Sequence, residues 1–137
     1  FQKIKELLPA QQEADRGTVV MATVKGDVHD LGKNIVSALL SNSGFKLIDL
    51  GKDVDADTIV RTALEKEADI VGLSALMTTT MTQIDKVIKK LREAGSEARV
   101  IVGGAAVTED YATSAGADAY ANDGVSAVQI AKDFVGE

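Results

Sequence analysis

The chain has 137 residues, a net charge of −6, one histidine and no cysteine. That length suits a single domain burying roughly two thirds of its unfolded surface, and the acidic balance offers no footprint for a nucleic-acid backbone or an anionic membrane. Without cysteine there can be no disulfide, thiolate zinc site, iron–sulfur cluster or cysteine nucleophile, so a metal would need histidine or carboxylate ligands.

Residues 1–17 stand apart from the rest of the chain: a short amphipathic piece, the only proline, then a polar stretch, all beginning on Phe1 rather than Met. They read as a linker, or as the stub of a missing N-terminal helical domain, ahead of one domain over 18–137. Short apolar, mostly β-branched runs then recur at 18–24, 46–50, 70–74, 100–102 and 118–120, the pattern of buried parallel strands. Between and after them lie stripes at helical spacing: Ile35, Leu39 and Leu40; Ile59, Ala63 and Leu64; Ile84, Val87, Ile88 and Leu91; Val125, Val128, Ile130 and Phe134. Gly44, Gly95 and Gly116 stand where helices would stop before the next strand. Five strands alternating with helices predict an α/β fold, a doubly wound flavodoxin-like sheet of order 2-1-3-4-5. Its ligand site belongs beyond the carboxyl ends of the strands, where the loops after Val24, Ser74 and Val102 meet. No apolar run approaches the roughly 20 residues of a membrane span and no signal peptide opens the chain, so the expected setting is the cytoplasm.

The first of those loops reads Lys25-Gly-Asp-Val-His-Asp-Leu-Gly-Lys-Asn-Ile-Val36. It sits where a phosphate loop would, yet Gly26 and Gly32 are separated by five residues and Asn34 replaces the magnesium-binding hydroxyl of such a loop. The dinucleotide fingerprint fails as well, because Asp27, Val28 and His29 put side chains where backbone must approach pyrophosphate. A second imitation, Asp53-Val-Asp-Ala-Asp57, opens like a calcium loop but has Thr58 for the turn glycine and Leu64 for the bidentate glutamate. Carboxylates at a helix N-terminus are the simpler reading. Asp27-x-His29 is different: it lies just past strand 1, and Asp27 is near enough in sequence to accept the imidazole's second N–H, the usual support of a metal-bound histidine. One histidine could hardly hold a bare transition metal, but a metal already carried inside an organic cofactor needs only one axial ligand.

Asp27-x-His29-x-x-Gly32 resembles the D-x-H-x-x-G signature of cobalamin-binding domains. Ser74-Ala-Leu76 matches that family's S-x-L after strand 3, and Gly103-Gly104 its G-G after strand 4. The resemblance spans about 18–135 and is nearest to the methyl-transferring branch, the methionine synthase-like domains and small corrinoid methyl carriers. It implies a cobalamin or related cobamide, methylated in its working state. The cofactor's own lower base would be displaced, its nucleotide tail threaded into the domain, and His29 would supply the lower ligand to cobalt. The loop residues Asp27, Val28, Asp30, Leu31 and Gly32 would line that site with Ser74, Leu76, Thr78, Gly103 and Gly104, and Asn122 and Asp123 would lie near the tail. In methionine synthase the Asp and His form a proton-linked set with a serine six residues past the S-x-L serine. Thr80 holds that position here, so Asp27, His29 and Thr80 are the expected relay, although Thr80 and Gln83 also fit a helix capping box. The implied role is carriage of a methyl group between a donor-side and an acceptor-side methyltransferase, with a reductive activation partner and no nucleic acid or membrane. Such a chain is a component of a methyltransferase system rather than a complete enzyme. The cobalamin-binding subunit of an adenosylcobalamin-dependent mutase is the alternative.

Overall fold

A computed structural model describes residues 17–27, 31–104, 107–121 and 124–135. The expected linker or stub at 1–16 lies outside them. The elements run β1 (Thr18–Thr23), α1 (Leu31–Asn42), β2 (Lys46–Asp49), α2 (Ala56–Glu65), β3 (Ile70–Ser74), α3 (Thr78–Glu93), β4 (Arg99–Gly103), α4 (Glu109–Ala115), β5 (Ala119–Tyr120) and α5 (Gly124–Phe134). All strands pair in parallel in the order β2-β1-β3-β4-β5, as the spacing of apolar runs predicts. Val24 falls just outside β1 and makes an isolated bridge to Val54.

The central strands are continuous apolar runs because both of their faces are covered. Val71 and Leu73 of β3 pack with Ile59 of α2 and Ile84, Val87 and Leu91 of α3 on one face. Val19, Met21, Ile70 and Ile101 pack with Leu40 of α1 and Ala127 and Ala131 of α5 on the other. Helix ends follow the expected glycines, with φ of 99° at Gly44, 85° at Gly95 and 90° at Gly116.

Three helix faces differ from their predicted stripes. On α1, Ile35 is 52% exposed, while Lys33, Ser37 and Leu40 are the buried positions. On α2, Leu64 is exposed and Ala56, Ile59, Val60 and Ala63 are buried; on α5, Val125 is exposed and the buried residues are Ala127 and Ala131. Small or polar residues share these inward positions with Leu40, Ile59 and Val60, so the buried faces are narrower in apolar side chains than the stripes predict.

Helix α4 has no stripe long enough to predict it. Thr108 caps it by accepting from the Tyr111 amide, and Gly116 ends it. Tyr111 joins it to α3: the phenol oxygen lies 2.8 Å from the Met81 carbonyl and 2.9 Å from an Asp85 carboxylate oxygen, two acceptors for one proton. Burial, and then the Asp85 carboxylate, push this phenol up to about 12. The folded state therefore keeps a proton that the unfolded state releases near 10, so stability falls as pH rises through that window. Absorbance titration of the folded protein should show one tyrosine ionising only near pH 12, and Tyr111→Phe should remove that late component.

Candidate functional site

The loop after β1 is held by both neighbouring loops. Gly26, at φ 87°, donates its amide to Asp53 Oδ1 at 2.7 Å, and the Asp53 amide returns a bond to the Asp27 carbonyl at 3.0 Å. On the other side, Val24 N donates to the Ser74 carbonyl at 3.1 Å. Asp27 itself is fully buried. Its Oδ2 accepts from Leu76 N at 2.7 Å, Met77 N at 3.3 Å and Thr80 Oγ1 at 2.7 Å, tying β1 to the start of α3. Buried carboxylates persist where donors replace lost water in this way. Thr80 Oγ1 is also 3.0 Å from the Met77 carbonyl, so its proton has two acceptors in reach.

The capping-box expectation is thereby corrected: the N-cap of α3 is Met77, with no side-chain bond, and Thr80 directs its hydroxyl from inside the first turn to Asp27. The calcium-like run also resolves into local roles. Asp55 is the N-cap of α2 and accepts from the Thr58 hydroxyl at 2.6 Å, which holds its carboxyl below the usual range. Asp57 pairs with Lys90 at 3.0 Å. No cluster of three metal-ligating side chains occurs among the described residues.

Below this loop a cavity of about 490 Å³ runs between the sheet and the α1–α5 layer, bordered by Val19 and Ile70 at one end and Ser74, Gly103 and Gly104 at the other. Its size is within the roughly 300–1,000 Å³ of small-molecule sites. On the sheet side its lining mixes Val19, Met21, Ile70 and Ile101 with the small residues Gly72, Ser74 and Gly103. In register across the sheet, Met21 pairs with Gly72 and Gly72 with Ile101; one pleat closer to the carboxyl ends, Thr23 pairs with Ser74 and Ser74 with Gly103. Lys33 borders the cavity from α1 with its side chain almost wholly buried, and its ammonium is held by Asp49 Oδ1 at 2.5 Å and Asn34 Oδ1 at 2.8 Å. Two buried hydroxyls, Thr23 Oγ1 and Ser37 Oγ, have no hydrogen-bond partner among the described residues. Such orphans cost about 1–3 kcal/mol each. A more open depression of about 700 Å³ lies at the amino ends of the strands, near Asp69, Glu97 and Arg99, away from the predicted ligand end.

Of the residues singled out from sequence, the structure brings Asp27, Leu76 and Thr80 into one cluster and sets Ser74, Gly103 and Gly104 on the adjoining cavity. Leu76 contributes its amide to the cluster; Thr78 is exposed at the first position of α3. Leu31 and Gly32 open α1. Val28, His29, Asp30, Asn122 and Asp123 lie outside the described residues. The two glycines after β4 have reasons within the chain itself: a Cβ at Gly104, where φ is 118°, would overlap the Ala75 carbonyl oxygen, and one at Gly103 would come within 2.9 Å of the Ala121 carbonyl. Sequence reasoning missed Asp53 and Asp49, whose partners Gly26 and Lys33 are distant in sequence, and Lys33, a charge on an inward helix position.

A family model described as the B12 binding domain matches residues 17–131. Among characterised proteins, dimethylamine corrinoid protein 3 of Methanosarcina acetivorans is 45% identical over 130 residues, 93% of this chain and 61% of that protein. The dimethylamine corrinoid protein 3 of Methanosarcina mazei is 42% identical over 96% of this chain and 81% of its own length. The chain thus spans less than two thirds of the first of these relatives. Among solved structures, a cobalamin-binding protein from Desulfitobacterium hafniense superposes with a TM-score of 0.86 at 36% identity, covering 89% of this chain and 60% of that one. A chain of the methanol:cobalamin methyltransferase complex of Methanosarcina barkeri gives 0.85 at 37% identity, covering 88% and 46%. A response-regulator receiver domain from Mycobacterium tuberculosis reaches only 0.64 at 20% identity over 88% of this chain and 98% of its own, a likeness of fold alone.

Proposed function

The chain belongs to the B12-binding domain family, whose cofactor is a corrinoid, and from that premise we propose that it carries a methyl group between a donor-side and an acceptor-side methyltransferase. The observation that carries the site assignment is the Asp27 clamp beside the 490 Å³ cavity, two residues before the only histidine. The names of the similar proteins, dimethylamine corrinoid proteins and a chain of a methanol:cobalamin methyltransferase complex, favour methyl carriage over a mutase subunit.

When bound, the corrinoid supplies the cobalt that takes up and gives away the methyl group. The residues present fit such a group: a largely apolar cavity with Gly72, Ser74, Gly103 and Gly104 among its lining, and a fixed aspartate two residues before His29 in the sequence. His29 would hold the cobalt of the corrinoid, and the cavity would receive the cofactor's nucleotide tail. Asp27 orients His29 as the carboxylate partner of a metal-bound imidazole commonly does. Thr80 and the amides of Leu76 and Met77 in turn fix Asp27. Asn122 and Asp123, which follow β5 in the sequence, would complete the tail site, and a reductive activation partner would keep the cofactor in use.

Because His29 is the only histidine, growth on ¹⁵N-histidine labels one residue. With a Co(II) corrinoid bound, the nitrogen splitting of the electron-spin resonance spectrum should change from triplet to doublet on labelling and disappear in His29→Ala. Splitting insensitive to both label and substitution would falsify His29 as the ligand.

A further inference from the structure

Met21 of β1 and Gly72 of β3 are register partners on the cavity side of the sheet, and both border the cavity. A Cβ placed on Gly72 would overlap the Met21 Sδ and come within 3.0 Å of its Cε, so the thioether lies directly over the glycine. The other cavity glycines yield their space differently: Gly103 and Gly104 to backbone, Gly124 to the Leu39 side chain, which does not border the cavity. Among the cavity glycines described, Gly72 is the one whose added Cβ would overlap a side chain that itself forms the cavity wall; the wall residues nearest Gly124, Ile35 and Val36, stand at 3.7 and 3.8 Å.

Methionine has three rotatable bonds and no branch, it refills irregular space at little cost, and its sulfur makes favourable contacts with aromatic rings. The surrounding wall is apolar, with Val19, Ile70 and Ile101 near it, and the one cation lining it among the described residues, Lys33, is already engaged by Asp49. An ionised group here would lose its water without gaining a counter-charge.

We propose that the Met21–Gly72 pair is the adjustable floor that selects the lower base at the end of the corrinoid's nucleotide tail, admitting an uncharged planar nitrogen heterocycle and setting how bulky its ring substituents can be. The inference rests on the reading that the tail enters this cavity. Because Gly72 lacks a Cβ, the Met21 thioether lies back over the glycine, and its position there sets the room left for the entering ring.

Three corrinoids test it by visible-absorption titration of the cofactor-free chain: a cobamide carrying 5,6-dimethylbenzimidazole, one carrying unsubstituted benzimidazole, and cobinamide, which has no nucleotide. Gly72→Ala should drive the thioether into the cavity and weaken the dimethylated cobamide by about tenfold relative to the unsubstituted one, the scale expected for added carbons in a filled apolar pocket. Met21→Ala should shift the preference the opposite way, and Met21→Ala with Gly72→Ala should restore most of what Gly72→Ala loses. Cobinamide affinity should be the same in all four proteins. Met21→Ala only removes atoms, so it decides the question even where Gly72→Ala disturbs the sheet. Tailed cobamides favoured over cobinamide, with a base preference unmoved by any variant, overturn the Met21–Gly72 assignment alone. Equal affinity of the unsubstituted protein for all three corrinoids overturns the tail-in-cavity reading and this inference together.

Discussion

Replacing Asp27 by alanine is expected to destabilise the cofactor-free protein by about 2–4 kcal/mol, although the residue lies in a loop. The carboxylate is fully buried and its Oδ2 is the acceptor for two amides and a hydroxyl. Removing an acceptor leaves buried donors to bear a desolvation penalty of about 1–3 kcal/mol each, partly relieved as the loop opens to water. With a urea slope of about 1–3 kcal/mol per molar for a domain of this size, the midpoint should fall by roughly 1–2 M. Asp27→Asn keeps one side-chain oxygen and should lose less. The measurement separates architecture from cofactor chemistry because no corrinoid is present. An unfolding midpoint unchanged by Asp27→Ala would mean that the clamp does not hold the loop. The same variant should bind corrinoid weakly, since the start of α3 and the loop leading to His29 lose their common anchor.

Gly104→Ala should be comparably severe. Its φ of 118° is one that only glycine adopts without strain, and the added Cβ would overlap backbone of Ala75 rather than a side chain that could swing away. Strain and overpacking of about 1–3 kcal/mol each combine to about 3–4 kcal/mol. For a domain whose total stability lies within about 5–15 kcal/mol, that lowers the melting temperature by roughly 10 °C or more. Gly103→Ala, whose Cβ would meet one carbonyl at 2.9 Å, should cost less. The order of the two melting temperatures is the check, and equal values would remove the argument from close approach. The effect reaches the site because Ala75 precedes the Leu76 amide that Asp27 holds. In this chain the paired glycines therefore serve the meeting of two loops before they serve any ligand.

The sheet is legible in the sequence because its strands are buried on both faces: runs such as Ile70–Ser74 carry no polar alternation and are separated by lengths that only crossover helices fill. The strand order then follows from handedness and adjacency. Helix α4 is not legible, since its seven residues bury only Ala112, and its signals are a cap at Thr108 and a stop at Gly116 rather than a stripe. The buried face of α1 escapes the pattern for a related reason. Periodicity assumes that inward means apolar, whereas Lys33 and Ser37 face inward here and Ile35 lies at the cavity rim. Within the site, Asp27, Ser74, Leu76 and Thr80 are visible as spaced motifs. Asp53 is not, because its value depends on Gly26, 27 residues earlier, and its own neighbours mimic a calcium loop.

The bond from Leu76 N to Asp27 spans 49 residues, and that from Thr80 Oγ1 spans 53. Both bridge β1 and the segment after β3, strands whose pairing requires the chain between them to be brought round through β2 and α2. Contacts of such separation are closed late and at an entropic cost. The site cannot persist in a half-folded chain, and hydrogen exchange at the Leu76 amide should track opening of the whole β1–β3 seam rather than the local fraying usual in surface loops. A corrinoid that bound across this seam would be binding to the completed fold alone, and every increment of its affinity would appear as slower exchange at that one amide.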